Sequence, residues 1–111
     1  MDLQPLNSTL ESQIDEDFYH KLIAQLEKDF VMSGINYDFS DLLPNQLINA
    51  LYEVVEELLS KEYPTLLNLL YRMDIPESSI NFNEQMTAEQ HLVNLILRRE
   101  YLKIKLRMEF S

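Results

Sequence analysis

The chain has 111 residues, 46% of them hydrophobic and 25% charged, with a formal net charge of −10. That length and balance suit one folded domain over residues 1–111 and exclude a chain that is disordered throughout. It holds one glycine, Gly34, and neither cysteine nor tryptophan, which removes glycine-rich phosphate cradles, nucleophile elbows, thiol catalysis, disulfides and zinc–thiolate sites.

Residues 1–11 are polar without a clear period, and we expect a flexible N-terminal segment there. Ser8 with Glu11 has capping-box spacing, with Ser12 and Asp15 as an alternative start. From Ile14 the pattern is helical: Ile14, Phe18, Leu22, Leu26 and Phe30 recur every four residues, flanked by Tyr19 and Ile23. Asp15, Glu16 and Asp17 sit near the helix start, where its dipole favours negative charge. Gly34 is placed to close this helix in the left-handed conformation. The connection over 35–43 carries Tyr37, Phe39, Leu42 and Leu43, all expected to fold onto the core.

Pro44 suits the first turn of a second helix. There Leu47, Ile48, Leu51, Val54, Val55, Leu58 and Leu59 keep three-four spacing, while Glu53, Glu56 and Glu57 occupy the polar side. This helix should stop near Ser60, because Tyr63 precedes Pro64. The third helix, Pro64 to Met73, reads as apolar almost all round and is expected to be buried on more than one side. Asp74-Ile75-Pro76 ends it, with a helical turn allowed after Pro76. Thr87-Ala88-Glu89-Gln90 is a second capping box. It opens a fourth helix to about Arg107, with Ala88, Leu92, Leu95, Ile96, Leu102 and Leu106 on one face and Val93, Leu97, Tyr101, Ile104 and Met108 on the next.

Few residues carry site chemistry. Asp17 and His20 share a helical face at the spacing of a metal pair, but His91, with Thr87 and Ala88 before it, completes no second half. Neither histidine has a nucleophile or oxyanion donor placed for it. No catalytic, cofactor or metal residue is therefore assigned. Six tyrosines are many for this length; Tyr71 and Tyr101, beside Arg72 and Arg98, suit a contact surface, and the others suit the core edge with hydroxyls in water. Five of the nine basic residues are Arg98, Arg99, Lys103, Lys105 and Arg107. Arg99, Lys103 and Arg107 form one stripe of the fourth helix. We expect acids of the same chain, or of a dimer mate, to neutralise it, in exposed pairs worth about 0.2–1 kcal/mol each.

The stretch Glu62-Tyr-Pro-Thr-Leu-Leu-Asn-Leu-Leu-Tyr-Arg-Met-Asp-Ile-Pro-Glu77, with Leu95-Ile-Leu-Arg-Arg-Glu-Tyr-Leu-Lys-Ile-Lys105, resembles a group of small uncharacterised helical bacterial proteins. The resemblance implies a compact all-helical fold and a bacterial source; it brings no catalytic residue.

These features lead to an all-α single domain of about four main helices, orthogonal or bundle-like. The expected function is non-enzymatic: a small protein–protein interaction module, with Leu67, Tyr71, Arg72, Leu97, Arg98 and Tyr101 as its candidate interface. Surplus apolar surface on the third and fourth helices points to a homodimer. An acidic inhibitor or immunity-type protein covering a basic partner is one alternative, and a small-molecule or metal-binding helical bundle is another. No nucleic acid or membrane is expected as a partner, since the net charge opposes phosphate binding and no apolar run reaches membrane length. The N-terminus lacks the basic start and apolar run of a secretory signal, so a cytoplasmic location is expected.

Overall fold

Four helices carry the described part of the chain, residues 16–80 and 87–110 of a computed structural model: α1 (Glu16–Met32), α2 (Pro44–Lys61), α3 (Tyr63–Arg72) and α4 (Ala88–Phe110). A 3-10 turn, Glu77–Ile80, follows α3, and no strand occurs among the described residues. The expected caps at Ser8 and Ser12, the N-terminal segment, Ile14 and Asp15 lie outside the described residues.

The all-α expectation holds, and the element boundaries follow from local chemistry. Gly34 takes φ 86°, and two bonds close α1 behind it: Ile35 N–H to the Phe30 carbonyl at 2.8 Å and Gly34 N–H to that of Val31 at 3.0 Å. This six-to-one and five-to-two pair is the Schellman arrangement. Asp74 repeats it at the end of α3 with φ 62°, through Ile75 N–H to Leu70 O at 2.9 Å and Asp74 N–H to Tyr71 O at 3.1 Å. Aspartate, with its short polar side chain, tolerates this conformation better than most residues. Ile35 and Ile75 then turn into the core directly after each stop.

At the start of α4 the Thr87 box is reciprocal. Gln90 N–H donates to Thr87 Oγ1 at 3.2 Å, and Thr87 N–H donates to Gln90 Oε1 at 3.1 Å. Thr87→Ala should therefore cost about 1 kcal/mol in chemical denaturation, and Thr87→Ser should cost little. At α2 only half of such a box exists, since Leu43 has no side-chain acceptor; its N–H donates to Gln46 Oε1 at 2.9 Å.

α4 packs against both α1 and α2, and α3 packs against α2 and α1. At about 1.5 Å per residue a 23-residue helix such as α4 is about 34 Å long. That matches the longest of the three extents, 34 × 30 × 27 Å. The core joins Leu22, Leu26 and Phe30 of α1, Leu47, Leu51 and Val55 of α2, Leu66, Leu69 and Leu70 of α3, and Leu92, Val93 and Ile96 of α4. From the 35–43 connection Phe39 is wholly buried, edge-on to Phe30 at 5.0 Å. Tyr37 and Leu42 pack beside it, as expected.

Four expectations are corrected. Leu43 caps α2 and is exposed rather than folded inward. α3 is one-sided: Leu66, Leu69 and Leu70 are buried, while Tyr63, Asn68, Tyr71 and Arg72 face outward. At 100° per residue Tyr63, Leu67 and Tyr71 share one stripe, which the string of leucines conceals. On α4, Leu102 and Leu106 leave the predicted face and are exposed. Finally, Tyr19 keeps its hydroxyl out of water, donating to the Leu42 carbonyl at 2.6 Å. Burial pushes that phenol up to about 12.

Candidate functional site

The outward stripe of α3 meets the end of α1 in a patch of interface-type side chains. Tyr71 is 85% exposed, although a helix this short has little apolar surface to spare. Arg72 Nη1 reaches the Met32 sulfur at 3.7 Å, and Met32 and Val31 are themselves exposed. Tyr71 stands as a ridge between two depressions. Met32, Ser33, Asn68, Arg72 and Asp74 line one; Leu67, Leu70, Ile75 and Pro76 line the other. Aromatic, Met and Arg side chains are the types enriched where proteins meet.

Of the six expected interface residues, the structure brings Leu67, Tyr71 and Arg72 together. Leu67 is half-buried and the other two are exposed. Arg98 is exposed on α4. Tyr101 is half-buried, its ring 5.0 Å from that of Phe18, so it ties α4 to α1. Leu97 is no surface residue: it is 1% exposed and belongs to the core.

A second constellation lies in the α1–α4 seam. Glu100 has no exposed surface, and Asp29 and Gln25 are buried opposite it. Lys103 Nζ sits 3.4 Å from Asp29 Oδ2 and 3.3 Å from Glu100 Oε2, the latter without hydrogen-bond alignment. Gln25 Nε2 donates to Asp29 Oδ2 at 3.2 Å, and Arg107 Nη1 donates to Gln25 Oε1 at 2.7 Å.

The two carboxyls are driven apart. Burial, then the hydrogen bond to Asp29 and the Asp29 charge, push Glu100 up to about 8 against the pull of Lys103. Burial also raises Asp29, but hydrogen bonds from Glu100 and Gln25 and the Lys103 ammonium outweigh it and leave it below the ordinary range. At neutral pH the seam thus holds an Asp29 carboxylate, a Lys103 ammonium and a neutral Glu100 acid. Like charges in one site separate in this way.

Two of the three α4 stripe cations, Arg99 and Lys103, meet acids of their own chain, though not those of α2, whereas Arg107 bonds the neutral amide of Gln25. Arg99 Nε donates to the Met73 carbonyl at 3.0 Å and its Nη2 pairs with Asp74 at 3.2 Å, bracing the left-handed turn. Lys103 is half-buried against two buried acids rather than exposed, so the value expected for exposed pairs does not apply to it. Glu53, Glu56 and Glu57 are exposed, as expected for a solvated face. His20 lies 3.5 Å from Glu16, and Asp17 pairs with Lys21 at 3.1 Å, so the Asp17–His20 spacing is not used as a pair.

No family model, curated protein or solved structure matches the chain.

Reasoning from sequence missed Asp29 and Glu100, yet a signal existed. Val93, Ile96, Glu100 and Ile104 fall at three-four spacing, which puts the glutamate on the buried stripe. Asn94 was missed as well. It is 4% exposed, and both polar atoms of its amide lack a hydrogen-bond partner. An unpaired buried amide is costly, so Asn94→Leu should raise stability by about 1–3 kcal/mol in urea titration. A loss instead would show that this amide has a partner that leucine removes.

Proposed function

We propose that this chain is a non-enzymatic cytoplasmic protein-interaction module that grips its partner at the Tyr71 patch. One observation carries the reading: a tyrosine 85% exposed is flanked by Arg72 and Met32 at the rim of two depressions. Such a side chain adds almost nothing to the fold and offers a rigid aromatic anchor to a partner. A second copy of the chain is one such partner, and it would make the protein a homodimer.

The test uses two measurements. Immobilised protein should retain a partner from native lysate, and Tyr71→Ala should lower its affinity for that partner about tenfold or more. Sedimentation equilibrium at micromolar concentration then tells a different protein from a second copy. Unchanged retention and unchanged mass in the variant would move the interaction elsewhere.

The acidic-inhibitor reading has one observation in its favour. Glu53, Glu56 and Glu57 form an exposed face on α2 with no ion pair among the described residues. A basic partner held there would dissociate steeply with salt, whereas an apolar grip at Tyr71 would not.

A further inference from the structure

The α1–α4 seam opens to solvent as a groove whose charge opposes that of the whole protein. Lys21, Ala24, Gln25 and Lys28 of α1 face Ile104, Arg107 and Met108 of α4 across an open cavity of about 470 Å³. Alanine at 24 keeps the α1 wall low, and Ile104, Met108 and the aliphatic stems of the basic residues supply apolar surface. Acids outnumber bases 19 to 9 in the chain, yet the described lining holds three basic side chains and no acidic one. These cations differ in how they are held. Arg107 is fixed by Gln25, which is in turn bonded to Asp29. Lys21 pairs with exposed Asp17. Lys28 is exposed and makes no ion pair among the described residues.

We propose that this groove docks an acidic amphipathic helix from a partner protein. α1 and α4 wall the groove, and a trough between two helices suits a third. Lys21 and Lys28 are seven residues apart on one helix, hence about 10 Å apart along it. A helix laid alongside meets both with acids seven residues apart, and an apolar side chain between those acids drops onto Ala24, Ile104 and Met108. Arg107, held in place, presents a forked donor to a carboxylate without first losing side-chain freedom. A second copy of the chain fits poorly. The acids of α2, Glu53, Glu56 and Glu57, have no pair seven apart, and their face carries no apolar residue to enter the trough. The groove is a separate surface from the Tyr71 patch.

The test uses three fluorescent helical peptides of about five turns. The first has Glu at every seventh position with Leu three and four residues after each. The second replaces every Glu with Lys, and the third replaces every Leu with Gln. The first peptide should bind saturably and weaken with salt; the other two should bind at least tenfold less well. Ala24→Trp, which fills the trough, and Lys28→Glu, which inverts its charge, should each weaken the first peptide about tenfold. Both positions are exposed, so thermal melts should match the parent. Failure of the first peptide to bind up to millimolar concentration overturns the proposal. So does equal binding of the Lys peptide, or binding indifferent to both variants. Self-association abolished by Ala24→Trp would assign the groove to a second copy and also overturn it. Tyr71→Ala should leave peptide binding unchanged, so the groove and the Tyr71 patch stand or fall separately.

Discussion

Lys103→Met should destabilise the protein by about 3–5 kcal/mol, far more than any exposed pair would. Lys103 is the only cation within ion-pair distance of buried Asp29 among the described residues. Its ammonium also approaches fully buried Glu100. Removing it leaves the Asp29 carboxylate, only 5% exposed, with neutral donors alone. The same substitution should raise the Asp29 pKa, because the Lys103 charge is one of the influences that lowers it. Acid unfolding of the variant should then begin at a higher pH. Adding Asp29→Asn should recover most of the loss, since an amide in that position carries no charge to compensate. A double-mutant cycle by urea denaturation measures the coupling. Strictly additive effects would mean that the two side chains do not share a site.

The second large effect is a dependence of stability on pH, opposite in direction to that of most acidic residues. The Glu100 acid titrates at about 8 in the folded protein, against an ordinary value of 4.5. Between those limits the native state keeps a proton that the unfolded chain has released. Stability is therefore full below about pH 4.5, falls as pH rises, and levels off above about 8. The loss is on the order of a few kcal/mol. Asp29, whose pKa is lowered, has the opposite sense: its contribution is present above the ordinary carboxylate range and is lost as pH falls through its folded value. Together they place the maximum of stability in mildly acidic solution. Glu100→Gln keeps a neutral donor of the same shape. It should match the parent near pH 5 and melt several degrees higher than the parent near pH 9. Parallel melting curves across that range would show that another group titrates.

What the sequence reveals here is divided along a physical line. Helices announce themselves through averages over many residues. The four-residue recurrence from Phe18 to Phe30 and the unbroken stripe from Leu47 to Leu58 each survive an ambiguous position. Caps are local, so Gly34 and Thr87 with Gln90 were readable from a few neighbours. Burial of a single polar side chain is not local. Glu100 follows Arg98 and Arg99 and looks like part of a solvated charged run; only the meeting of α4 with α1 puts it against Asp29. The same limit explains α3, where four leucines and a tyrosine suggested burial all round. Geometry buried one side and turned Tyr71 outward. Leu97 failed for the converse reason: the core takes the first turns of both apolar faces of α4, Leu92 and Ile96 from one and Val93 and Leu97 from the other, and the pattern gave no sign of that.

A carboxyl that stays protonated at neutral pH leaves a calorimetric trace. Near pH 6.5 the folded chain holds the Glu100 proton and the unfolded chain does not, so unfolding expels about one proton into the buffer. The heat of unfolding must then include the heat of ionising that buffer. Apparent enthalpies measured at one pH in buffers of small and large ionisation heat should differ by about one buffer equivalent. With Glu100→Gln the two should coincide.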